Sequence, residues 1–135
     1  MKKNKSVINQ ITYKLLLPYI ICFGFYIQLF GELAPGGGFQ AGAIIASSMI
    51  GYDISIKKII YPGFNLLLLK LGALGVLIYL LTGLCSLAGG MDFLNYNIFS
   101  EINGQSIGIM IVELGVGIGV FAIMLFLYME FRIVK

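Results

Sequence analysis

Four apolar stretches, at about residues 13–30, 35–52, 64–86 and 106–129, alternate with short polar or glycine-rich interruptions along the chain. About 20 apolar residues in a helix cross a hydrocarbon core of roughly 30 Å, and in lipid only a helix or a closed barrel satisfies its own backbone polar groups. The pattern predicts an all-α membrane protein in which residues 1–135 form one small four-helix bundle. In the first stretch Pro18 lies near the start, where a missing N–H costs least, and Gln28 lies near the far end, within reach of the interface. The second stretch carries small residues on two stripes, Gly38, Gly42 and Ala46 on one and Ala43, Ser47 and Gly51 on the other. Small residues at that spacing let backbones approach closely in lipid, so this helix is expected to have neighbours on two sides.

A polar connection carrying Lys57 and Lys58 follows from Asp53, and Pro62-Gly63 marks the start of the third stretch. There Gly72, Gly75, Tyr79, Thr82 and Ser86 share a face that should meet protein, with Lys70 almost opposite. Gly89-Gly90 ends that helix, and residues 91–104, with Asp92, Phe93, Tyr96, Phe99 and Glu101, read as an aromatic and acidic interfacial loop.

Composition agrees with this picture: 59% of the 135 residues are hydrophobic and 11% charged, leaving too little polar sequence for a second, soluble domain. The net charge of +3 comes from lysines and arginine at helix ends and forms no continuous basic stripe, so nucleic acid is not an expected partner. There is no histidine, and no metal-ligand spacing, phosphate loop or nucleophile–base pair, so neither an enzyme active site nor a cofactor is expected. Cys22 and Cys85 lie at different depths, about 10 Å apart by helical rise, and read as small core residues rather than a disulfide. The basic N-terminus followed by an apolar run is read as a first membrane helix and not as a cleaved signal, because the run is long and Ala34, the only small residue well placed for cleavage, precedes Pro35.

Charge also orients the chain. If four helices alternate, Lys2, Lys3, Lys5, Lys14, Lys57, Lys58, Arg132 and Lys135 fall on one side, and the opposite loops hold only Glu32, Asp92 and Glu101. Both termini are therefore expected in the cytoplasm of a multi-pass protein of the cell membrane, with residues 35–39 at the outer surface.

Three features carry candidate chemistry. The first is the run Pro35, Gly36, Gly37, Gly38, Phe39, with Gly42 just beyond, where glycines allow positive φ and close backbone approach at the start of a helix. The second is Glu113, a carboxylate deep in the fourth stretch and surrounded by Gly108, Gly115, Gly117 and Gly119. An acid near the centre of a bilayer costs about 2.5–3.5 kcal/mol on insertion scales, so Glu113 is either a polar packing residue or a working site of an ion or proton path. Lys70 is a third candidate, although a lysine about 9 Å from the cytoplasmic end can snorkel to the interface.

The segment from Phe30 through Gly31, Glu32, Leu33, Ala34 and the proline–glycine run to Gly42, taken with Gly108 to Val116 around Glu113, resembles the MnhB/MrpB-type subunit of the multisubunit Mrp/Mnh-type cation/proton antiporters. That resemblance implies a small component of a large membrane assembly exchanging sodium or potassium for protons, related to the membrane arms of complex I and of energy-converting hydrogenases. It carries the family's motif positions onto Pro35, Gly36, Gly37, Gly38 and Phe39, and its membrane acid onto Glu113. The partners it implies are other membrane subunits, the lipid bilayer and the transported ions. Members often have a histidine just before the proline; here Glu32 is the only nearby titratable group. Two other readings stand beside this one: a purely structural subunit of a related complex, and a self-sufficient homodimeric transporter.

Overall fold

The computed structural model describes residues 2–31, 35–56, 63–100 and 102–133. Its α-helices are α1 (Lys2–Phe30), α2 (Gly38–Ile56), α3 (Asn65–Ala88) and α4 (Gly104–Ile133), with one 3₁₀ turn at Tyr96–Ile98 between α3 and α4. The fold is all-helical among the described residues. Three helices are long and apolar enough to cross a membrane, through Val7–Phe30, Asn65–Ala88 and Gly104–Arg132. The 19-residue α2 is not, because it carries Gln40, Ser47, Ser48, Asp53 and Ser55. Protein meets much of that polarity. The Ser47, Ser48 and Ser55 hydroxyls donate to the carbonyls of Ile44, Ile45 and Gly51 one turn back.

The helices stand in a row rather than in the expected bundle. α1 packs on α2, α2 on α4 and α4 on α3, whereas α1 approaches α4 only near its C-terminal end, around Gln28, and α3 makes no backbone approach to α1 or α2. Glycine seams hold the row together. A Cβ on Gly42 would lie 2.5 Å from the Gly117 carbonyl oxygen of α4, and one on Gly75 would lie 2.5 Å from that of Gly115. Where backbones come this close, dispersion and not expulsion of water drives the association, and side chains are excluded from the seam. The apolar core is accordingly small, a cluster of Ala46, Leu68, Leu125 and Met129. Most large apolar side chains of α1 and α3 face outward, among them Tyr19, Leu29, Leu66 and Val76.

Several expectations change in detail. α1 begins at Lys2, because Val7, Ile8, Ile11 and Leu15 continue the helical spacing upstream, and this places Pro18 inside the helix and not near its start. Pro35 precedes α2 instead of occupying its first turn, and Gly37, with φ +119°, caps the helix, its carbonyl accepting from the Ala41 N–H. Cys22 and Cys85 are exposed, not core residues, since each points away from the seams of its helix. The stripe of Gly38, Gly42 and Ala46 meets α4 as expected. The second stripe is replaced in part: Gly51 packs on Tyr13 of α1, but Ser47 is exposed, and Ala41 and Ile45 supply the contact with Gly24. On α3, Gly72, Gly75, Thr82 and Ser86 are buried, as the shared face requires.

Candidate functional site

α1 ends at Phe30 and α2 begins at Gly38, and Gly31 and Gly37, on either side of the turn between them, lie against Glu113 in the N-terminal third of α4. A Cβ on Gly31 would lie 2.7 Å from Glu113 Oε2, and one on Gly37 would lie 2.9 Å from Oε1. The carboxyl group is thus gripped between the two glycines that flank the turn. At Gly38 the packing is tighter still, since a Cβ there would overlap the Glu113 backbone carbonyl. The two halves of the sequence motif, far apart in the chain, form one structure because three glycines omit their side chains where the acid passes.

The carboxyl group also lies at the first turn of α2. Backbone N–H groups at a helix start have no partner within the helix, and the partial positive charge of the helix dipole collects there. An acid brought to that end meets donors that no side chain has to provide. Gly36 packs on Ile27 of α1, and Gly42 continues the seam one turn down α2. Phe39 is 65% exposed and points out of the site.

One residue at this site was misplaced by sequence reasoning. Gln28, expected to reach the interface, is only 8% exposed and packs across the space left by the missing side chain of Gly117. Its Nε2 has no hydrogen-bond acceptor among the described residues. Gln28 and Glu113 line one cavity of about 130 Å³ together with Leu29, Ser106, Ile107, Ile109 and Met110. A polar side chain in an apolar run, one turn before the motif, was the available signal.

The other candidates lie elsewhere. Lys70 is exposed on α3, which touches α4 with its opposite face, so the fold does not bring Lys70 to Glu113. Glu32 lies outside the described residues, as do Lys57, Lys58, Pro62, Glu101 and Lys135. A larger cavity of about 500 Å³ between Gly72, Gly75, Gly115 and Gly119 is almost wholly apolar and does not reach the acid.

A second polar cluster occupies the opposite end of the α2–α4 seam. Asp53, read from sequence as part of a polar connection, lies inside α2 and is 1% exposed. The Tyr128 hydroxyl donates to its Oδ2 at 2.7 Å, and Arg132 Nη1 forms a salt bridge with the same oxygen. Asn65 Nδ2 donates to Glu130 Oε1 at 2.6 Å and ties α3 to α4 at the same level. Asp53 stands two helical turns beyond Ala46, so the small-residue stripe itself pointed to this position.

Comparison with known proteins gives this geometry a family. A family model described as a domain related to the MnhB subunit of Na+/H+ antiporter matches residues 8–126. The chain is 33% identical over 99 residues to the B-type subunit of the Na(+)/H(+) antiporter of Bacillus subtilis, an alignment covering 70% of this chain and 67% of that protein. It is also 33% identical over 99 residues to the protein of the same name in Alkalihalophilus pseudofirmus, covering 70% of this chain and 65% of the relative. An uncharacterized protein of Methanocaldococcus jannaschii is 40% identical over 90 residues, 65% of this chain and 33% of that longer protein. The chain therefore spans about two thirds of the length of the bacterial relatives and a third of the archaeal one. The matched region includes the turn, the glycine seams and Glu113, and on it the chain belongs to the MnhB family.

Proposed function

We infer that the chain is a membrane subunit of a multisubunit Na+/H+ antiporter and that Glu113 belongs to the path of the ion or proton. The observation that carries this reading is the enclosure of the Glu113 carboxyl between Gly31 and Gly37. A polar packing residue needs only one hydroxyl or amide partner from a neighbouring helix. Here Gly31, Gly37 and Gly38 all leave room for the acid, and a cavity that mixes polar and apolar lining opens beside it. The antiporter subunits of Bacillus subtilis and Alkalihalophilus pseudofirmus support the assignment to an antiporter. The outward-facing apolar surfaces of α1 and α3 suit a chain whose neighbours are lipid and other membrane subunits.

In this reading all four helices cross the cell membrane. α2 crosses despite its polarity because α1 and α4 flank it. Both termini are cytoplasmic, so the turn and Glu113 lie in the outer half of the bilayer and the Asp53 cluster near the inner surface. The transported ions are sodium or potassium and protons.

Mild-detergent purification with mass spectrometry of co-purifying membrane proteins tests the assignment to an assembly. Recovery of the chain with other antiporter subunits is expected, and a chain that purifies alone as a homodimer sinks the assignment. Labelling of cysteines introduced at Ser6 and Lys135 tests the orientation: protection from impermeant reagents in intact cells is expected, and labelling from outside reverses it.

A further inference from the structure

We propose that the 130 Å³ cavity beside Glu113 is a water-filled access chamber, with Gln28 as the residue that holds its water against the acid. The inference rests on the reading of Glu113 given above and specifies what reaches it. Gln28 is more than nine-tenths buried, and its Nε2 finds no acceptor among the described residues. A buried amide donor without an acceptor costs about 1–3 kcal/mol, so the site calls for a group that accepts a hydrogen bond. A bare cation offers no acceptor, and an amide N–H group repels it. Water accepts from Gln28 and donates onward to a carboxylate or hydroxyl.

The cavity has the size and lining for this. At roughly 30 Å³ per water it holds about four molecules. Its polar groups are Gln28 from α1 and Ser106 and Glu113 from α4. Ser106 lies in the first turn of α4 and Glu113 two turns further in, so the polar groups run from the helix end toward the acid. On the other side of Gln28 lies a groove of about 440 Å³ lined by Phe25, Ile45, Leu114, Ile118 and Phe121, which is almost wholly apolar. Gln28 and Leu29 line both spaces, and Gln28 puts the one polar side chain at the boundary between them.

The test uses the assembled complex with Cys22 and Cys85 replaced by serine. Single cysteines at Ser106 and Ile109 in the chamber, and at Leu114 in the dry groove, are reacted with a small charged thiosulfonate reagent, which requires the thiolate. Apolar surroundings, whether the groove or lipid, raise a thiol pKa, and each unit removes about nine-tenths of the thiolate, so Ser106→Cys and Ile109→Cys should react about tenfold faster than Leu114→Cys. Adding Gln28→Leu should slow Ile109→Cys severalfold, and sodium or potassium should leave the rate unchanged. Equal rates at Ile109→Cys and Leu114→Cys, or indifference to Gln28→Leu, would overturn the chamber. Protection of Ile109→Cys by sodium or potassium would also overturn it, by putting a cation where water is proposed. The labelling is read without ion exchange. A failure of the antiporter reading, seen in co-purification or transport, is therefore distinct from a failure of the chamber.

Discussion

Glu113 and Gly37 are partners in a single piece of packing: Oε1 of the acid lies 2.9 Å from where a Cβ on the glycine would stand. Gly37 also has φ +119°, a backbone conformation that residues with side chains rarely adopt. Two independent constraints, one local and one tertiary, therefore call for glycine at the same position.

Gly37→Val should strain the turn, at a cost of about 1–3 kcal/mol for the disfavoured backbone, and should push the Glu113 carboxyl out of its place. Ion exchange should fall further than in Glu32→Gln. Normal exchange by an assembled Gly37→Val complex would reduce the turn to a connector.

Glu113→Gln keeps the shape of the side chain but cannot take up or release a proton. The complex should assemble in normal yield while cation-dependent proton movement in vesicles falls sharply. Glu113→Asp should retain part of the activity, because the carboxyl persists but no longer reaches Gly31 and Gly37 together. Exchange at the normal rate in Glu113→Gln would make the acid a packing residue.

Gly42→Leu places a side chain where the Gly117 carbonyl oxygen and the Phe121 backbone nitrogen stand, 2.5 Å and 3.1 Å from the first carbon added. Backbone cannot move aside as a flexible side chain can, so α2 and α4 must separate and the yield of intact complex should drop. Leu66→Ile, on a side chain 63% exposed, should leave the yield unchanged. Equal yields from the two variants would show that the seam does not hold the row together.

Arg132→Leu removes the guanidinium from the buried Asp53 carboxylate and leaves the Tyr128 hydroxyl in place. Losing one partner of a fully buried pair costs about 3–5 kcal/mol, and the cost here should be smaller because Arg132 is 41% exposed. Thermal unfolding in detergent should shift down, and Asp53→Asn combined with Arg132→Leu should recover part of the loss. A double variant no more stable than Arg132→Leu alone would show that the buried charge is not what destabilises the single variant.

The sequence by itself determined the number and order of the helices, the face of α3 that meets protein and the family motif, because these depend on local patterns. Helical spacing and the length of apolar runs are written into consecutive residues, and lipid leaves the backbone little choice but to be helical. Pairing between helices is different. Close packing in lipid comes from matched glycines on two helices, and a sequence shows each glycine without its partner, so the row in place of a bundle became visible only in three dimensions. The same holds for polar residues. Gln28 and Asp53 look like residues bound for water until the seams bury them, the first across Gly117 and the second beside Tyr128 and Arg132. The sequence marked Glu113 as costly to place in a membrane, but only the tertiary structure put it between Gly31 and Gly37, since no local pattern records where a turn some 76–82 residues earlier in the chain, by the numbering of these residues, will close.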